Sequence, residues 1–217
     1  MTAPLLLLAA LCAHAADVAK LAHIKGDVTV EAGGTGRLAK AGTPVPSGAS
    51  VTTAKGAMAL LELPDGSRLK LRESSRLKVN LPGPRSQLTE AVLSLGSVFA
   101  RVVKRPPGAE FRVRAGTAVA AVRGTEFFTA FGRPGERGDD LWVCVGKGVV
   151  DVSAAGKTRP VREGEGVLIP GGDEVSKPKF YPWTKTLNWN MDPDAGEVED
   201  KTKLDAAYAD LLDQDYR

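Results

Sequence analysis

Lysine and arginine recur at every second residue in short segments of the chain, and this spacing could bind an anion. Alternate side chains of a β-strand point to the same face, so each segment presents its cations together. If the segments are neighbours in a sheet, they form a basic stripe that would attract a polyanionic glycan, lipid headgroups or an acidic protein segment. A merely solubilising outer face is the favoured alternative. The stripe consists of Arg68, Lys70, Arg72, Arg76, Lys78, Arg112 and Arg114.

Another pair of charges interrupts the most apolar stretch that follows the N-terminal leader. Gly124 inside this strand-like run predicts a bulge or a close backbone approach. A bulge would bring Arg123 and Glu126 to the same face, where we expect an ion pair at the edge of a β core. Charges in apolar surroundings also occur in active sites, but no catalytic companion accompanies these, which favours a structural joint. Thr125 lies within the joint, and Phe127 should anchor it to the core.

The sequence offers no recognisable catalytic or metal-binding arrangement. Of the two histidines, His14 lies in the leader, so a Ser-His-Asp or Cys-His centre would depend on His23 alone. Nucleophile-elbow and phosphate-loop motifs are missing, as are clusters with zinc-ligand spacing. We therefore predict no catalytic, cofactor-binding or metal-binding residues and no enzymatic activity, although a carboxylate-dependent glycosidase stays open. The acidic residues 192–200 favour a solvated linker over a calcium loop.

The N-terminus has the pattern of a signal peptide over residues 1–16. An apolar run at residues 4–11 is followed by Ala13, His14 and Ala15, which fit the small-x-small cleavage pattern. The run is too short to span a bilayer, and an uncleaved apolar strand or anchor is the alternative. We expect export to the periplasm or the medium, without a transmembrane span. Nucleic acid is then not expected as a partner, and the basic segments also lack interleaved aromatic residues.

Short alternating segments that follow glycines run from residue 17 to residue 171 and predict an all-β domain. Apolar residues two apart directly after a glycine are typical of a turn that leads into a half-buried strand. Asp65 and Gly66 form the clearest hairpin turn, because this dipeptide tolerates positive φ. The loose repetition predicts a solenoid-like or rolled stack of short antiparallel strands and hairpins. The residues of this hairpin that should face the core are Leu61, Leu63, Leu69 and Leu71.

Residues 172–217 differ in composition and predict an aromatic-rich linker followed by a short, acidic, amphipathic helix. We interpret the aromatic residues around Trp183 and Trp189 as an anchor against the core, with a sugar-stacking or protein-binding platform as the alternative. Because this C-terminal helix is acidic, it could itself fold over the basic stripe. The residues that recur at the three- and four-residue steps of one helix face are Leu204, Ala207, Tyr208, Leu211 and Leu212.

The order of the short motifs resembles the FecR domain family of bacterial extracytoplasmic proteins. The matching segments lie between about residues 22 and 152, and Val122-Arg-Gly-Thr-Glu-Phe127 is the most telling of them. The resemblance implies an all-β, solenoid-like or rolled module outside the cytoplasmic membrane. In the founding members, this module belongs to a membrane-anchored anti-sigma regulator that relays a signal from an iron-siderophore outer-membrane receptor. Other matching segments are Gly26-Asp-Val-Thr-Val30, Ala59-Leu-Leu-Glu-Leu-Pro-Asp-Gly-Ser67, Phe111-Arg-Val113 and Val145-Gly-Lys-Gly-Val149.

Nothing in the sequence looks like the cytoplasmic anti-sigma helices of the founding members, so direct binding of a sigma factor is not expected. We predict a stand-alone, exported, FecR-like binding module without catalysis or cofactor. It would take part in a signalling or structural assembly of the cell envelope, with an envelope protein as its partner. Binding of an anionic envelope glycan through the basic stripe is the alternative, and a glycan-active enzyme comes third.

Overall fold

The computed structural model describes residues 18–83, 86–135 and 138–212, and the predicted signal peptide lies outside them. These described residues form 17 strands and a single α-helix, α1 (Leu204–Leu212). The strands are β1 (Ala19–Lys25), β2 (Val28–Ala32), β3 (Thr35–Leu38), β4 (Pro44–Val45), β5 (Ser50–Thr53), β6 (Met58–Glu62), β7 (Arg68–Leu71), β8 (Arg76–Asn80), β9 (Leu88–Arg101), β10 (Glu110–Ala115), β11 (Ala118–Val122), β12 (Glu126–Gly135), β13 (Gly138–Lys147), β14 (Val149–Ala154), β15 (Lys157–Arg162), β16 (Glu165–Ile169) and β17 (Lys179–Phe180).

The strands form one open mixed sheet that is folded at β9 into two layers. Layer A has the order β4-β1-β6-β7-β9-β12-β13-β16-β17. Layer B has the order β3-β2-β5-β8-β9-β10-β11-β14-β15. Inward-facing side chains of both layers meet in one apolar core, for example Leu61 and Phe127 of layer A with Val30 and Val113 of layer B. The apolar faces of the two layers are thereby removed from water together.

The long strand β9 belongs to both layers because it bends near its middle. Its first half pairs with β8 and β10 in layer B, and its second half pairs with β7 and β12 in layer A. Gly96 lies at the bend with a φ of +84°, and a Cβ at this position would approach the Ser75 Cα to 2.5 Å. Glycine is required here, because any other residue would be strained in φ and would also clash.

The predicted hairpin around Asp65 and Gly66 is present between β6 and β7. Leu61 opposes Leu69 in the register of this pair, and Gly66 has a φ of +82°. The Asp65 carboxylate accepts a hydrogen bond from the backbone N–H of Ser67 at 3.0 Å, a local contact typical of aspartate in turns. The leucines predicted to face the core are all buried in it. Alternation along the sequence therefore gave their orientation correctly.

After strand β17, which extends the edge of layer A, residues 181–212 pack on the outer face of this layer, and we call this part the appendage. It contains two short 3-10 turns before helix α1. A second apolar cluster, separate from the core, joins Phe99 and Phe128 of layer A to the appendage. Ala207, Tyr208 and Leu211 of the predicted helix face are buried in this cluster, whereas Leu212, predicted for the same face, is exposed. The outer face of layer A is therefore covered by the chain itself.

The prediction of a mostly β chain with a short C-terminal helix is confirmed. The solenoid-like stacking is not confirmed, since the strands form a single open mixed sheet. The pairing of β9 with β10 is parallel, because residues 102–109 return the chain to the start of β9, and this departs from the antiparallel pattern that we predicted. None of the helices in the described part of the chain is long and apolar enough to cross a membrane.

Candidate functional site

The cations of β7 lie on the outer face of layer A, beneath the appendage instead of in solvent. Lys70 is completely buried, and its ammonium donates hydrogen bonds to the carbonyls of Asn188 at 2.5 Å and Asn190 at 3.0 Å. The same ammonium lies 4.4 Å from the centre of the Phe99 ring, within cation–π range. A lysine is buried only where its charge finds partners, and here main-chain carbonyls provide them.

Two neighbouring arginines extend this contact along the appendage. Arg68 Nη1 donates a hydrogen bond to the carbonyl of Met191 at 2.7 Å, and Arg101 Nη2 donates one to the carbonyl of Trp189 at 3.0 Å. Together with Lys70, these side chains bind every carbonyl of residues 188–191. Since every residue type carries a main-chain carbonyl, this contact recognises the course of the backbone and not the identity of the side chains.

Alternate side chains of the same segment enter the apolar cluster on layer A. Leu187 and Met191 are buried, and Trp189 packs edge-on against Phe99 with ring centroids 5.3 Å apart. The indole also rests on Gly146, where a Cβ would stand only 2.7 Å from the ring. Two kinds of contact thus hold the segment. Its backbone carbonyls bind the cations, and every second side chain packs in an apolar socket.

Carboxylates of the appendage form ion pairs with further cations at the same face. Arg72 Nη1 lies 3.4 Å from Oδ1 of Asp200, whose side chain is fully buried. Asp200 also accepts a hydrogen bond from the backbone N–H of Asn188 at 2.6 Å, which links it to the carbonyl-binding segment. At the margin, Lys25 donates to the carboxylate of Glu199 at 2.6 Å. The acidic part of the appendage is therefore complementary in charge to the strands that it covers.

Burial and hydrogen bonding shift the pKa values of these cations in different directions. Burial lowers the pKa of Lys70 to about 8, and the nearby Asp200 carboxylate opposes the shift. Burial also lowers the pKa of Arg72, again against the effect of Asp200. The hydrogen bond to Glu199 raises the pKa of exposed Lys25. Desolvation is thus the largest influence on the pKa values of Lys70 and Arg72, and the Asp200 carboxylate opposes it for both.

A surface cleft of about 620 Å³ lies where the appendage crosses the bend of layer A. Arg133 lies 4.1 Å from the centre of the Tyr208 ring and 2.8 Å from a carboxylate oxygen of Asp205. Charges of both signs line the cleft, so it favours no single class of ligand. No cluster of potential metal ligands occurs among the residues that the structure describes. The walls of the cleft include residues 72–74, 95–97, 130–133 and 199–205.

The predicted basic stripe is divided between the two layers. Arg76 and Lys78 on β8, and Arg112 and Arg114 on β10, lie on the outer face of layer B, away from β7. The prediction of one continuous stripe is wrong, because alternation tells which side chains share a face but not which layer a strand joins. Three of these cations have a carboxylate partner. The ion pairs are Arg76–Glu31 at 2.7 Å, Arg112–Glu110 at 2.7 Å and Arg114–Glu90 at 3.1 Å.

The expected ion pair between Arg123 and Glu126 is not formed. Glu126 opposes Arg101 in the register of β9 and β12, and it accepts a hydrogen bond from Arg101 Nε at 3.1 Å. Arg123 is exposed and pairs with no carboxylate of the described residues. The chain crosses from layer B to layer A between β11 and β12, and this crossing separates the two side chains.

The residues between these charges do adopt the close backbone approach that the glycine predicts. Gly124 has a φ of +127°, and a Cβ there would lie 3.0 Å from the Lys104 Cα. Phe127 is completely buried in the core between the layers, and Thr125 is also buried. The segment therefore connects the two layers. Of its charged residues, Glu126 forms an ion pair with Arg101.

Sequence reasoning missed part of the contact that holds the appendage. Residues 192–200 were interpreted as a solvated acidic linker, yet Val198 and Asp200 are buried. Trp183 and Trp189 do pack on layer A, as the interpretation of an aromatic anchor expected. One signal was available, since the apolar Leu187, Trp189 and Met191 alternate like the residues of a half-buried strand. The acidic helix was expected to fold over the stripe, but the cations of β7 are instead covered by the segment before the helix.

These features define a two-layered β module whose outer A face is covered by its own C-terminal appendage. Residues 49–151 match the family model described as FecR protein, so the chain contains a FecR domain, as the motif order indicated. The match includes β5 to β13 and the first half of β14, and thus both halves of the bent strand β9. No curated protein matches the sequence.

Two crystal structures share the fold of this chain. Both are of a "putative anti-sigma factor" from Parabacteroides distasonis ATCC 8503, at 1.65 Å and 2.50 Å resolution. Their sequence identities to this chain are 20% and 21%, with TM-scores of 0.53 and 0.52. Each alignment covers 60% of this chain and 59% of the other protein. This chain therefore spans less than two thirds of the length of the proteins that it matches.

Proposed function

We propose that the chain is an extracytoplasmic, non-catalytic interaction module in a signalling or structural assembly of the cell envelope. The FecR domain over residues 49–151 is the observation that carries this proposal. The fold shared with a protein named as a "putative anti-sigma factor" favours a role in signalling over a role in metabolism. The signal-peptide pattern of residues 1–16 supports export to the periplasm or the medium.

The outer face of layer B is the surface through which we expect an envelope protein to bind. The appendage covers the corresponding face of layer A, whereas no described element packs over the centre of layer B. Val92 of β9 and Val119 and Ala121 of β11 are partly exposed there. Arg114 of β10 lies between Val92 and Val119 in register, and Lys78 of β8 lies on the other side of Val92. Apolar and charged side chains are thus interspersed on this face, and a protein partner can use both kinds of contact.

Photo-crosslinking in intact cells tests this proposal. A photoreactive amino acid at Val119 should crosslink one envelope protein, and the same group at exposed Leu38 on edge strand β3 serves as the control. The crosslinked chain should begin after the predicted signal peptide when its mass is measured. An unprocessed chain in the cytoplasm would contradict export. Equal crosslinking patterns at both positions would contradict a specific interface on layer B.

An anionic envelope glycan is the second candidate ligand, and it is supported by the cations that remain exposed on layer B. Lys78 and Arg114 are exposed on strands that flank the same stretch of β9. Ion pairs with carboxylates reduce the net charge of the surface, which weakens attraction to a polyanion. Retention on a polyanionic glycan that salt abolishes would favour this candidate, because such binding depends on screened charges. Salt-resistant crosslinking to one protein would favour the first.

A further inference from the structure

The contact between layer A and residues 187–191 has the chemistry of a peptide bound in a groove. Lys70, Arg68 and Arg101 bind main-chain carbonyls, which any peptide that follows the same course would present. Specificity comes from the apolar sockets for alternate side chains, with the indole of Trp189 in the socket formed by Phe99 and Gly146. Affinity from the backbone and specificity from alternate side chains is a recurrent mode of peptide recognition.

The groove and its occupant belong to different parts of the chain. The cations of β7 and Arg101, the Phe99 ring and Gly146 all lie within the FecR domain of residues 49–151. Residues 187–202 lie outside this domain and reach it after a connection that follows β16. The FecR domain therefore carries the binding surface, and a segment of the chain outside this domain occupies it.

Charge narrows the class of segment that the groove can take. Arg72 pairs with Asp200, and Lys25 pairs with Glu199, so the cations continue past the sockets. A basic segment would leave these cations facing like charges, and this repulsion selects against it. In the structure these cations are paired with carboxylates, and Asp200 lies about ten residues after Trp189 in the sequence.

We propose that the outer face of layer A is a peptide-binding groove for a non-helical, acidic segment of a partner protein, and that residues 187–202 occupy it in cis. The partner segment has apolar or aromatic side chains at alternate positions, followed by carboxylates. This inference rests on the proposed function only in assuming a protein ligand. The covalently attached segment competes at an effective concentration of about millimolar, so a partner must bind tightly or must act where the cis segment is displaced.

A labelled peptide tests the groove on the full-length chain. The probe is a fluorescein-labelled peptide with the sequence of residues 186–202, and a scrambled peptide of the same composition is its control. Trp189→Ala weakens the cis occupant without changing the groove, and the variant should bind the probe at least about tenfold more tightly than the unmodified chain. Adding Lys70→Met removes a groove cation and should reverse most of this gain. Equal, weak binding by all three chains would overturn the proposal.

A second measurement keeps the proposal testable if Trp189→Ala fails to fold. A peptide carrying a photoreactive group in place of Met191, at saturating concentration, should label β7 and β9 of the unmodified chain. Labelling elsewhere, or none, would overturn the proposal. A dimer of the unmodified chain that the peptide dissociates would assign the groove to a second copy and overturn the assignment to a partner. Because these assays use purified chain, their failure leaves the crosslinking test of the proposed function unaffected.

Discussion

Replacing Gly146 with alanine should loosen the appendage, because the Trp189 ring occupies the place of the missing side chain. The φ of Gly146 lies outside the left-handed region, so alanine suits its backbone. The new Cβ would stand 2.7 Å from the indole, about 0.7 Å inside ordinary contact distance. The indole cannot retreat freely, since it packs against Phe99 and its Nε1 donates to the carbonyl of Thr184 at 2.9 Å.

The magnitude of this effect follows from how far the ring must move. Overpacking that the surroundings absorb by small shifts costs about 1–3 kcal/mol. If the ring leaves its socket, the loss of its hydrogen bond adds about 1 kcal/mol. Trp189 is partly buried, so the loss of about 3–5 kcal/mol typical of a fully buried tryptophan is an upper limit. We expect about 1–3 kcal/mol for Gly146→Ala. This loss should be concentrated in the appendage, because the core between the layers does not contain Trp189.

Urea denaturation followed by tryptophan fluorescence gives the free energy of unfolding, and limited proteolysis reports whether residues 181–212 are released from layer A. Gly36→Ala on β3 is a matched control, because its Cβ would meet only the Thr29 side chain at 3.4 Å. The control should lie within about 0.5 kcal/mol of the unmodified chain. A Gly146→Ala variant that equals this control in stability and in protease resistance would refute the packing of Trp189 on layer A.

Gly96→Ala should cost about 2–5 kcal/mol in urea denaturation, since alanine combines an unfavourable φ with a clash against Ser75 at the bend of β9; a cost below 1 kcal/mol would be inconsistent with that bend. Lys70 has a folded pKa of about 8, below its value of 10.5 in the unfolded chain, so the unfolded state binds more protons between these values. The free energy of unfolding should therefore rise by about 1 kcal/mol from about pH 7.5 to pH 9, relative to that of a Lys70→Met variant. The same pH dependence in both chains would refute this prediction. Glu126→Gln should cost less than about 1 kcal/mol, because its pair with Arg101 is partly solvated, and a larger loss of melting stability would assign the pair a structural role that we do not expect.

The orientation of side chains along each strand could be predicted from the sequence because it depends on neighbours only a few residues away. Leu61 and Leu69 face the core as their alternation indicates, and Tyr208 and Leu211 share the buried helix face that their spacing predicts. Phe127 is likewise buried where a strand-like apolar run places it. Such patterns are local, and no knowledge of the tertiary arrangement is needed to interpret them.

The covering of layer A could not be predicted in the same way. Lys70 alternates with leucines, as it would on a strand with one face in water, and its burial depends on carbonyls that lie 118 and 120 residues further along the chain. The separation of Arg72 from Arg76 has a similar origin, since the chain changes layer between β7 and β8. Alternation is unaffected by such a crossing, because it repeats within each strand whichever layer the strand joins.

The bend of β9 also sets the order in which the fold can assemble. None of the strands β1 to β8 pairs with a strand later than β9, and none of β10 to β17 pairs with one earlier. During synthesis from the N-terminus, the first half of the chain can therefore complete its hydrogen-bond ladders, including those on β9, before β10 to β17 have been made. Because the two halves share no ladder other than those on β9, we expect amides of β6 to β8 and those of β12 and β13 to gain protection in separate steps in pulse-labelling hydrogen exchange. Simultaneous protection of both halves would show that β9 is not a seam between two successive folding units.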